Sequence, residues 1–122
     1  KKKIAEKIVY TSLDKLAEEA SLPVIEAFKN VIDNVAPKME VKSRRVGGST
    51  YQVPIEVSRN RSIALAIRWI ITNARRKSGE SFESRLSTEL VDAYNKRGSS
   101  IKQREDTHKM AEANKAFAHF RW

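Results

Sequence analysis

The sequence predicts a mainly α-helical fold, in which about five helices form a single bundle and one two-stranded antiparallel β-hairpin protrudes from it. Apolar residues recur at intervals of three and four along most of the chain, and polar caps, glycines and prolines interrupt them. Strict alternation occurs only between about residues 38 and 57. With 122 residues the chain is long enough for one domain, which we expect to span residues 1–122.

The first two helices are separated by a Ser-Leu-Pro sequence. Helical spacing of apolar residues predicts the first helix over residues 4–20 and the second from there to about residue 36. Ser21 is the expected N-cap of the second helix, Pro23 fits its first turn and Pro37 ends it. The buried faces are predicted to contain Ala5, Val9, Leu13, Leu16, Ala20, Ile25, Phe28, Ile32 and Val35.

The three remaining helices are predicted at about residues 61–77, 82–97 and 102–120. Residues of the kinds that cap or end helices lie at each boundary: Ser58 or Asn60, Gly79, Ser81, Gly98, and a capping box from Ser100 to Gln103. The expected buried residues are Ile63, Ile67, Ile70, Ala74, Leu86, Leu90, Ala93, Met110, Ala113, Phe117 and Phe120.

The predicted hairpin consists of two alternating runs joined by Gly47 and Gly48. Glycine accepts the positive φ angles that tight hairpin turns require. Pro54 lacks an N–H group, so it fits only where a strand has a free edge. Because isolated two-stranded ribbons are marginally stable in water, we expect the outer end of this hairpin to be mobile without a partner.

The positive charge is concentrated in the hairpin and the third helix. The chain carries a net charge of +9, with a pI near 10.0. Between Lys38 and Lys77 there are ten basic and two acidic residues, so this unit alone contributes +8 of that charge. Seven of the ten are arginines, whose planar guanidinium groups bind phosphate oxygens in pairs and stack on bases. The clustering predicts contact with RNA or DNA; the alternative is a solvated cationic face.

Two motifs within this unit are the strongest candidates for that contact. Arg61, Arg68 and Arg75 are seven residues apart, so they are predicted to line one side of the third helix at intervals of about 10 Å. In the hairpin, Arg44 and Arg45 precede the two glycines, which would allow the backbone to approach a sugar-phosphate chain closely. The glycines also satisfy the turn by themselves, and both interpretations can hold.

No pattern in the sequence predicts catalysis, a cofactor, a metal ion or a small-molecule substrate. There is no cysteine, and His108 and His119 would lie about 16 Å apart on a helix, too far to share a metal. Glu89 and Asp92 resemble ordinary surface charges. The most apolar stretch, residues 63–71, contains an arginine and is much shorter than the roughly 20 residues of a membrane-spanning helix. We therefore expect a protein that is neither an enzyme nor a membrane protein.

The two tryptophans lead to different expectations. Trp69 lies beside the isoleucines of the third helix and is expected in the core. Trp122 closes the chain, where it either packs the last helix against the body or stacks on a partner; we favour packing.

Long motifs in this chain resemble those of a known family. They are RRVGGSTYQVP at residues 44–54, Arg68-Trp69-Ile70, and KQREDTHKMAEANKAFAHFRW at residues 102–122. In this order and over the whole chain, they resemble the bacterial-type family of the seventh small-subunit ribosomal protein. The resemblance implies a cytoplasmic ribosomal protein, bacterial or organellar, that binds rRNA of the head (3′ major) domain. It also implies a role in nucleating head assembly.

The resemblance further implies specific partners and contact residues. The partners would be small-subunit rRNA, exit-site tRNA and mRNA nearby, and neighbouring head and platform ribosomal proteins. An alternative role is repression of translation by binding the protein's own operon mRNA through the same surface; a DNA-binding protein fits the charge but not the motifs. The expected RNA-binding residues are Lys1, Lys2, Lys3, Lys42, Arg44, Arg45, Gly47, Gly48, Arg59, Arg61, Arg68, Arg75, Arg76, Lys77, Lys109, Lys115, Arg121 and Trp122.

The start of the chain departs from the family pattern. The family has a basic N-terminal arm and an additional helix ahead of the point that corresponds to Lys1. We expect that a form without that segment binds rRNA more weakly and exposes part of its apolar core. Comparing the two forms by RNA titration and thermal melting tests this expectation.

Overall fold

The structure, a computed structural model, describes residues 1–122 as five α-helices, one β-hairpin and a short 3-10 helix. The α-helices are α1 (Lys2–Ala20), α2 (Val24–Val35), α3 (Arg59–Arg76), α4 (Phe82–Tyr94) and α5 (Ser99–Ala113). The hairpin is formed by β1 (Met39–Val46) and β2 (Ser49–Glu56), and the 3-10 helix spans Lys115–Phe120. This confirms the predicted mainly α fold with a single hairpin. No helix combines the length and the apolar character needed to cross a membrane.

A single core joins all five helices. Its thirteen buried residues are Leu16, Ala27, Val31, Ile32, Val35, Ala36, Ala66, Ile70, Ala74, Leu86, Leu90, Ala93 and Ile101. Trp69 is partly buried and packs against this cluster, as expected. Most of the core side chains are small or β-branched, which allows the helix axes to approach closely. One side of α3 packs on this core, and its other side faces solvent.

The hairpin lies where the alternation predicted it, with its turn at the two glycines. Its pairs run from Met39 opposite Glu56 to Val46 opposite Ser49. Gly47 and Gly48 form the turn with φ angles of 58° and 86°. Pro54 lies opposite Val41 in this two-stranded sheet, where both strands are edges. The hairpin packs against α5 and against the 3-10 helix, so tertiary contacts support the strands that would be marginal alone.

Several predicted helix boundaries were wrong because residues at the junctions cap a different helix from the one expected. Ser21 is the left-handed C-cap of α1, with φ 54°, and Pro23 is the N-cap of α2. Gly98 does not close α4, which ends at Tyr94; it is the N-cap of α5, with φ 94°. A residue with positive φ can end one helix or orient the start of the next, and sequence alone does not distinguish the two.

The last helix is also shorter than predicted. Ser100 lies buried in the first turn of α5, so it does not start the expected capping box. The α-helix ends at Ala113, and its C-cap is Asn114, whose backbone N–H and side-chain Nδ2 both donate to the carbonyl oxygen of Met110, at 3.1 and 2.8 Å. The side chain competes for a helical carbonyl, which favours a helix end. The chain then continues as the 3-10 helix.

Some predicted core positions are exposed instead. Ile25 is 79% exposed, Met110 53%, Val9 46% and Ile67 39%, while neighbouring residues in the same helices take the buried places. Ala5 and Ala113 are also exposed. Helical spacing predicts an apolar stripe, but packing selects which edge of that stripe is buried. The exposed edges of α1 and α3 contribute to an open apolar groove of about 120 Å³, lined by Val9, Leu13, Phe28, Ile67, Ile70, Ile71, Leu86 and Leu90.

Candidate nucleic-acid interface

Helix α3 presents the predicted row of arginines. Arg61, Arg68 and Arg75 are all exposed, whereas Ala66 and Ile70 on the same helix are buried. The side-chain hydroxyl of Ser58 accepts a hydrogen bond from the backbone N–H of Arg61, so the helix begins in a well-defined position. The seven-residue spacing therefore places one side of α3 on the core and the arginine row in solvent.

The two arginines in the first turn of α3 form ion pairs with acidic residues of the protein. The Nε and Nη2 atoms of Arg61 donate to the two carboxylate oxygens of Glu40, at 2.6 and 2.9 Å. Arg59 pairs with Asp33 of α2 at 3.2 Å, where both side chains are largely exposed. The hydrogen bond from Arg61 lowers the pKa of Glu40, and burial of the carboxylate opposes this effect. The Arg61 pair thus joins the base of the hairpin to α3.

Lys77 is also engaged within the protein, and its partner corrects an expectation. Glu89 was expected on the surface, but its side chain is fully buried. The Nζ atom of Lys77 lies 3.4 Å from Oε1 of Glu89, and its second acidic neighbour is Asp92 at 3.9 Å. The other oxygen of Glu89 accepts hydrogen bonds from the backbone N–H and the hydroxyl of Ser100. This network links the end of α3 to α4 and α5.

Five of the remaining basic residues of this unit, all of them predicted RNA contacts, have no internal partner. In α3, Arg68, Arg75 and Arg76 are exposed and form no ion pair with the protein's own acids. In the hairpin the same holds for Lys42 and Arg45. Arginines without an internal acceptor keep all their donors available for phosphate oxygens. These five residues, called the open cations below, are the part of the predicted interface with no competing role.

The two hairpin arginines lie on opposite faces of the ribbon because side chains alternate along a strand. Arg45 is exposed, while Arg44 is partly buried against the end of the chain. A Cβ atom added to Gly47 or Gly48 would meet nothing within 4 Å. The turn therefore requires glycine for its positive φ angles, and the surroundings of the turn are open to a partner.

The C-terminal segment, residues 115–122, packs along the hairpin. The Tyr51 ring centroid lies 5.1 Å from that of Phe117 and 4.6 Å from that of Phe120. The guanidinium of Arg44 donates to the carbonyl oxygens of Phe120 and Arg121. Trp122, which was expected to pack, is 68% exposed. The phenylalanines instead hold the segment in place, because their rings reach Tyr51.

The other predicted contact residues lie on three elements: α1, α5 and the C-terminal segment. Lys1, Lys2 and Lys3 are exposed at the start of α1, a helix that packs on α2 and α4. Lys109 and Arg121 are exposed, and Lys115 pairs with Glu112 at 3.0 Å. The hairpin thus contacts α3 through Glu40 and the C-terminal segment through Tyr51 and Arg44, and the three N-terminal lysines lie on a different part of the bundle.

His108 has a structural partner. Its Nε2 atom accepts a hydrogen bond from the backbone N–H of Lys38 at 2.9 Å, which ties the base of the hairpin to α5. Burial lowers the pKa of this histidine, and the charges of Arg104 and Lys38 act in the same direction. No group of three or more histidine, cysteine or acidic residues is arranged to hold a metal ion.

Sequence reasoning missed two acidic residues that hold this surface in place. Glu40 and Glu89 both form ion pairs with basic residues that were assigned to RNA. For Glu89 a signal was present: Leu86, Glu89, Leu90 and Ala93 follow the three-and-four spacing of a buried helix face. An acid at such a position requires an internal cationic or hydrogen-bonding partner. Glu40 had no comparable signal, since alternation along the strand places it on the polar face with Lys42.

Comparison with known proteins agrees with the motifs. The family model described as ribosomal protein S7p/S5e matches residues 1–115. The whole chain is 61% identical to the small ribosomal subunit protein uS7 of Petrotoga mobilis, covering 79% of that protein. It is 58% identical to the uS7 protein of Oleidesulfovibrio alaskensis, covering 78%. A third relative is uS7 of Chlamydia caviae, 56% identical over 123 residues.

These matches extend over all the elements that form the candidate interface, including the hairpin and α3. The family is a structural component of the ribosome, which confirms the prediction that the chain is not an enzyme. On the strength of the family model and of full-length relatives above 50% identity, the chain belongs to the ribosomal protein S7p/S5e family, in its bacterial-type form.

Proposed function

We propose that the chain is a structural constituent of the cytoplasmic small ribosomal subunit that binds rRNA of the head (3′ major) domain. In this role it helps to nucleate head assembly and lies near the path of exit-site tRNA and mRNA. Membership of the family supports the ribosomal role. The open cations Lys42, Arg45, Arg68, Arg75 and Arg76 support RNA binding, and they are the observation that carries the proposal.

The physical argument begins with charge that the fold does not neutralise. Folding satisfies Arg59, Arg61 and Lys77 with internal acids, but it leaves the open cations in solvent. A stable protein gains little from exposed like charges, which repel one another. Phosphate groups of an RNA partner remove that repulsion and release counterions, which favours binding at moderate salt. Rigid presentation on α3 lowers the entropy lost when the surface binds.

The experiment is a titration of the protein against a transcript of the rRNA head-domain junction at several salt concentrations. Scrambled RNA and duplex DNA serve as competitors. We expect tight binding that survives both competitors and weakens roughly a thousandfold or more between 50 and 200 mM salt, since the open cations together with the exposed Lys109 and Arg121 allow six or more phosphate contacts. Equal affinity for all three nucleic acids would contradict specific rRNA binding while leaving a general cationic surface.

A further inference from the structure

Helix α3 ends differently from the other four α-helices. At the ends of α1, α2, α4 and α5, the backbone N–H of the C-cap residue donates to a carbonyl oxygen of the helix. Lys77, the C-cap of α3, has an extended backbone with φ −68° and ψ 153°, and the N–H groups of residues 77–79 donate to no backbone carbonyl. Because the last carbonyls of a helix lack helical donors, this end of α3 is left for a side chain or water to satisfy.

Arg85 of α4 is the side chain that does so. Its Nη1 atom donates to the carbonyl oxygen of Arg75, at 3.1 Å, and to that of Lys77. The guanidinium carbon lies 5.7 Å from the centroid of the Phe82 ring on the same helix, and the Nε atom is buried without a hydrogen-bond partner. Glu89 of α4 pairs with the side chain of Lys77. Helix α4 therefore holds the end of α3 at two points.

Two of the open cations belong to the turn that Arg85 caps. Arg75 and Arg76 are the last two residues of α3, and both are exposed. Helix ends without caps fray, and a frayed turn would present these two guanidinium groups in many orientations. Each contact with a phosphate would then require additional ordering of the chain, which weakens binding. The cap thus affects two cations that Arg85 itself does not touch through their side chains.

Arg85 also changes the charge at this end of the helix. The carbonyl groups at a helix C-terminus together act like roughly half a negative charge, which repels an approaching phosphate. A guanidinium that binds two of these carbonyls offsets that partial charge. A phosphate can therefore approach Arg75 and Arg76 without facing uncompensated carbonyl oxygens.

We propose that Arg85 is a positioning residue for RNA binding, which caps α3 so that Arg75 and Arg76 are held ready for backbone phosphates. This rests on the proposed function, because the phosphates are those of the RNA that the open cations bind. Arg85 does not contact RNA in this arrangement, since its Nη1 atom is engaged by two carbonyl groups and its Nε atom is buried.

The first test is the binding of Arg85→Met to the head-domain junction RNA at several salt concentrations. Methionine can still pack on Phe82, but it removes the charge and every donor of the cap. We expect the affinity to fall roughly tenfold, as for the loss of one charge-assisted contact. The slope of log affinity against log salt should become shallower by about 1 to 2, because each phosphate contact contributes about 0.9.

Lys96→Gln is the matched control for the lost charge. Lys96 follows α4, is exposed and forms no ion pair, so this variant removes one positive charge without removing a cap. We expect its affinity for the junction RNA to change less than about twofold. Junction binding by the original chain, with equal affinity and slope in Arg85→Met and Lys96→Gln, overturns the positioning role alone. Failure of the original chain to bind any RNA overturns the proposed function and the positioning role together.

A double-mutant cycle distinguishes positioning from direct contact. In the variant Arg75→Gln with Arg76→Gln, the two side chains that Arg85 positions are absent. Adding Arg85→Met to this background should change the affinity less than about twofold and leave the salt slope unchanged. If Arg85 contacted a phosphate itself, its substitution would weaken binding as strongly as in the original chain, and the positioning role would be overturned.

A conservative variant and a measurement without RNA separate positioning from simple stabilisation. Lysine can also donate to carbonyls at a helix C-terminus, so Arg85→Lys should bind the junction RNA within about threefold of the original chain. Hydrogen exchange at the amides of Arg75 and Arg76 should be several-fold faster in Arg85→Met than in Lys96→Gln. A lower melting temperature of Arg85→Met, with unchanged exchange at these amides and unchanged RNA affinity, would make Arg85 a stabilising residue only and overturn the proposal.

Discussion

The two ends of helix α3 use the same residue type for different purposes. At the first turn, Arg59 and Arg61 pair with acids from α2 and from the hairpin. At the last turn, Arg75 and Arg76 are exposed and have no acidic partner. The difference arises from what packs beside each end: the first turn adjoins the hairpin base, while the last turn precedes a solvent-facing loop. Net charge in the sequence therefore overstates the charge that is free to bind RNA.

The residue that follows α3, Lys77, is paired with an acid of the protein, as Arg59 and Arg61 are at the first turn. Lys77 lies only one position beyond Arg76, yet it reaches the buried carboxylate of Glu89. Adjacent residues on a helix point about 100° apart, so neighbours of like charge can face the protein and the solvent respectively. Three variants test whether paired and open cations are separable in this way, and a fourth tests the bond between His108 of α5 and the base of the hairpin.

Removal of the buried acid is expected to have the largest effect. Glu89→Ala leaves the backbone N–H of Ser100 without its acceptor and Lys77 without its closest partner. We expect the free energy of unfolding to fall by about 3 kcal/mol, the lower end for breaking a buried pair, because Lys77 is 30% exposed and can turn to water. Urea unfolding measures this, and Glu105→Ala, which removes an exposed acid from α5, is the control. Equal losses in the two variants would show that Glu89 is not a structural acid.

Neutralising two open cations is expected to change RNA binding without changing stability. For Arg68→Gln combined with Arg75→Gln, the slope of log affinity against log salt should become shallower by about 2, since each phosphate contact contributes about 0.9. The control is Lys15→Gln combined with Lys29→Gln, which removes the same charge from exposed positions of α1 and α2. If both pairs reduce the slope alike, RNA senses total charge and the arginine row has no special role.

Glu40→Ala tests the other end of α3, with a smaller effect. This change removes the acceptor of both Arg61 hydrogen bonds, so we expect the melting temperature to fall by a few degrees. Glu56→Ala is a close control, because Glu56 lies at the same end of the hairpin and is exposed. Both variants gain one unit of positive charge, so a difference in melting temperature isolates the ion pair. Identical melting curves would show that Arg61 is as open as Arg68.

The smallest effect is expected from pH. His108 has a folded-state pKa below its ordinary value of 6.5, so the unfolded chain takes up the proton first. Its contribution to stability is complete above pH 6.5 and declines as the pH falls through 6.5 toward the lower folded-state pKa. Urea unfolding between pH 7.5 and 5 measures the decline. The pKa of Glu40 is lowered from 4.5, so its own loss occurs below this range.

The matched variants for the pH experiment are His108→Gln and His119→Gln. His108→Gln is expected to unfold with nearly the same free energy across the range, whereas His119→Gln, altered at an exposed position, should keep the decline. A decline that persists in His108→Gln would mean that other groups cause it, and that the bond to the N–H of Lys38 adds little.

Local regularities explain which parts of the fold were predictable. The hairpin and its turn followed from alternation and two adjacent glycines, both of which act within a few residues. The existence of all five α-helices followed from periodicity. Junctions such as Ser21 and Gly98 were assigned to the wrong helix because each is compatible with either neighbour locally. The buried edge of α3 shifted away from Ile67 because the packing of α4 and α2, rather than the spacing, selects it.

The sequence by itself determined the mainly helical fold, the single hairpin and the concentration of charge between Lys38 and Lys77. These depend on residue type and short spacing, which are properties of the chain alone. Only the tertiary structure decided which cations are open. Arg61 meets Glu40, Lys77 meets Glu89 and Arg44 meets the end of the chain through contacts between residues 12 to 77 positions apart in sequence. Such pairs form because the fold brings distant elements together, where the attraction between the charges offsets their desolvation, and short-range spacing does not specify which residues meet.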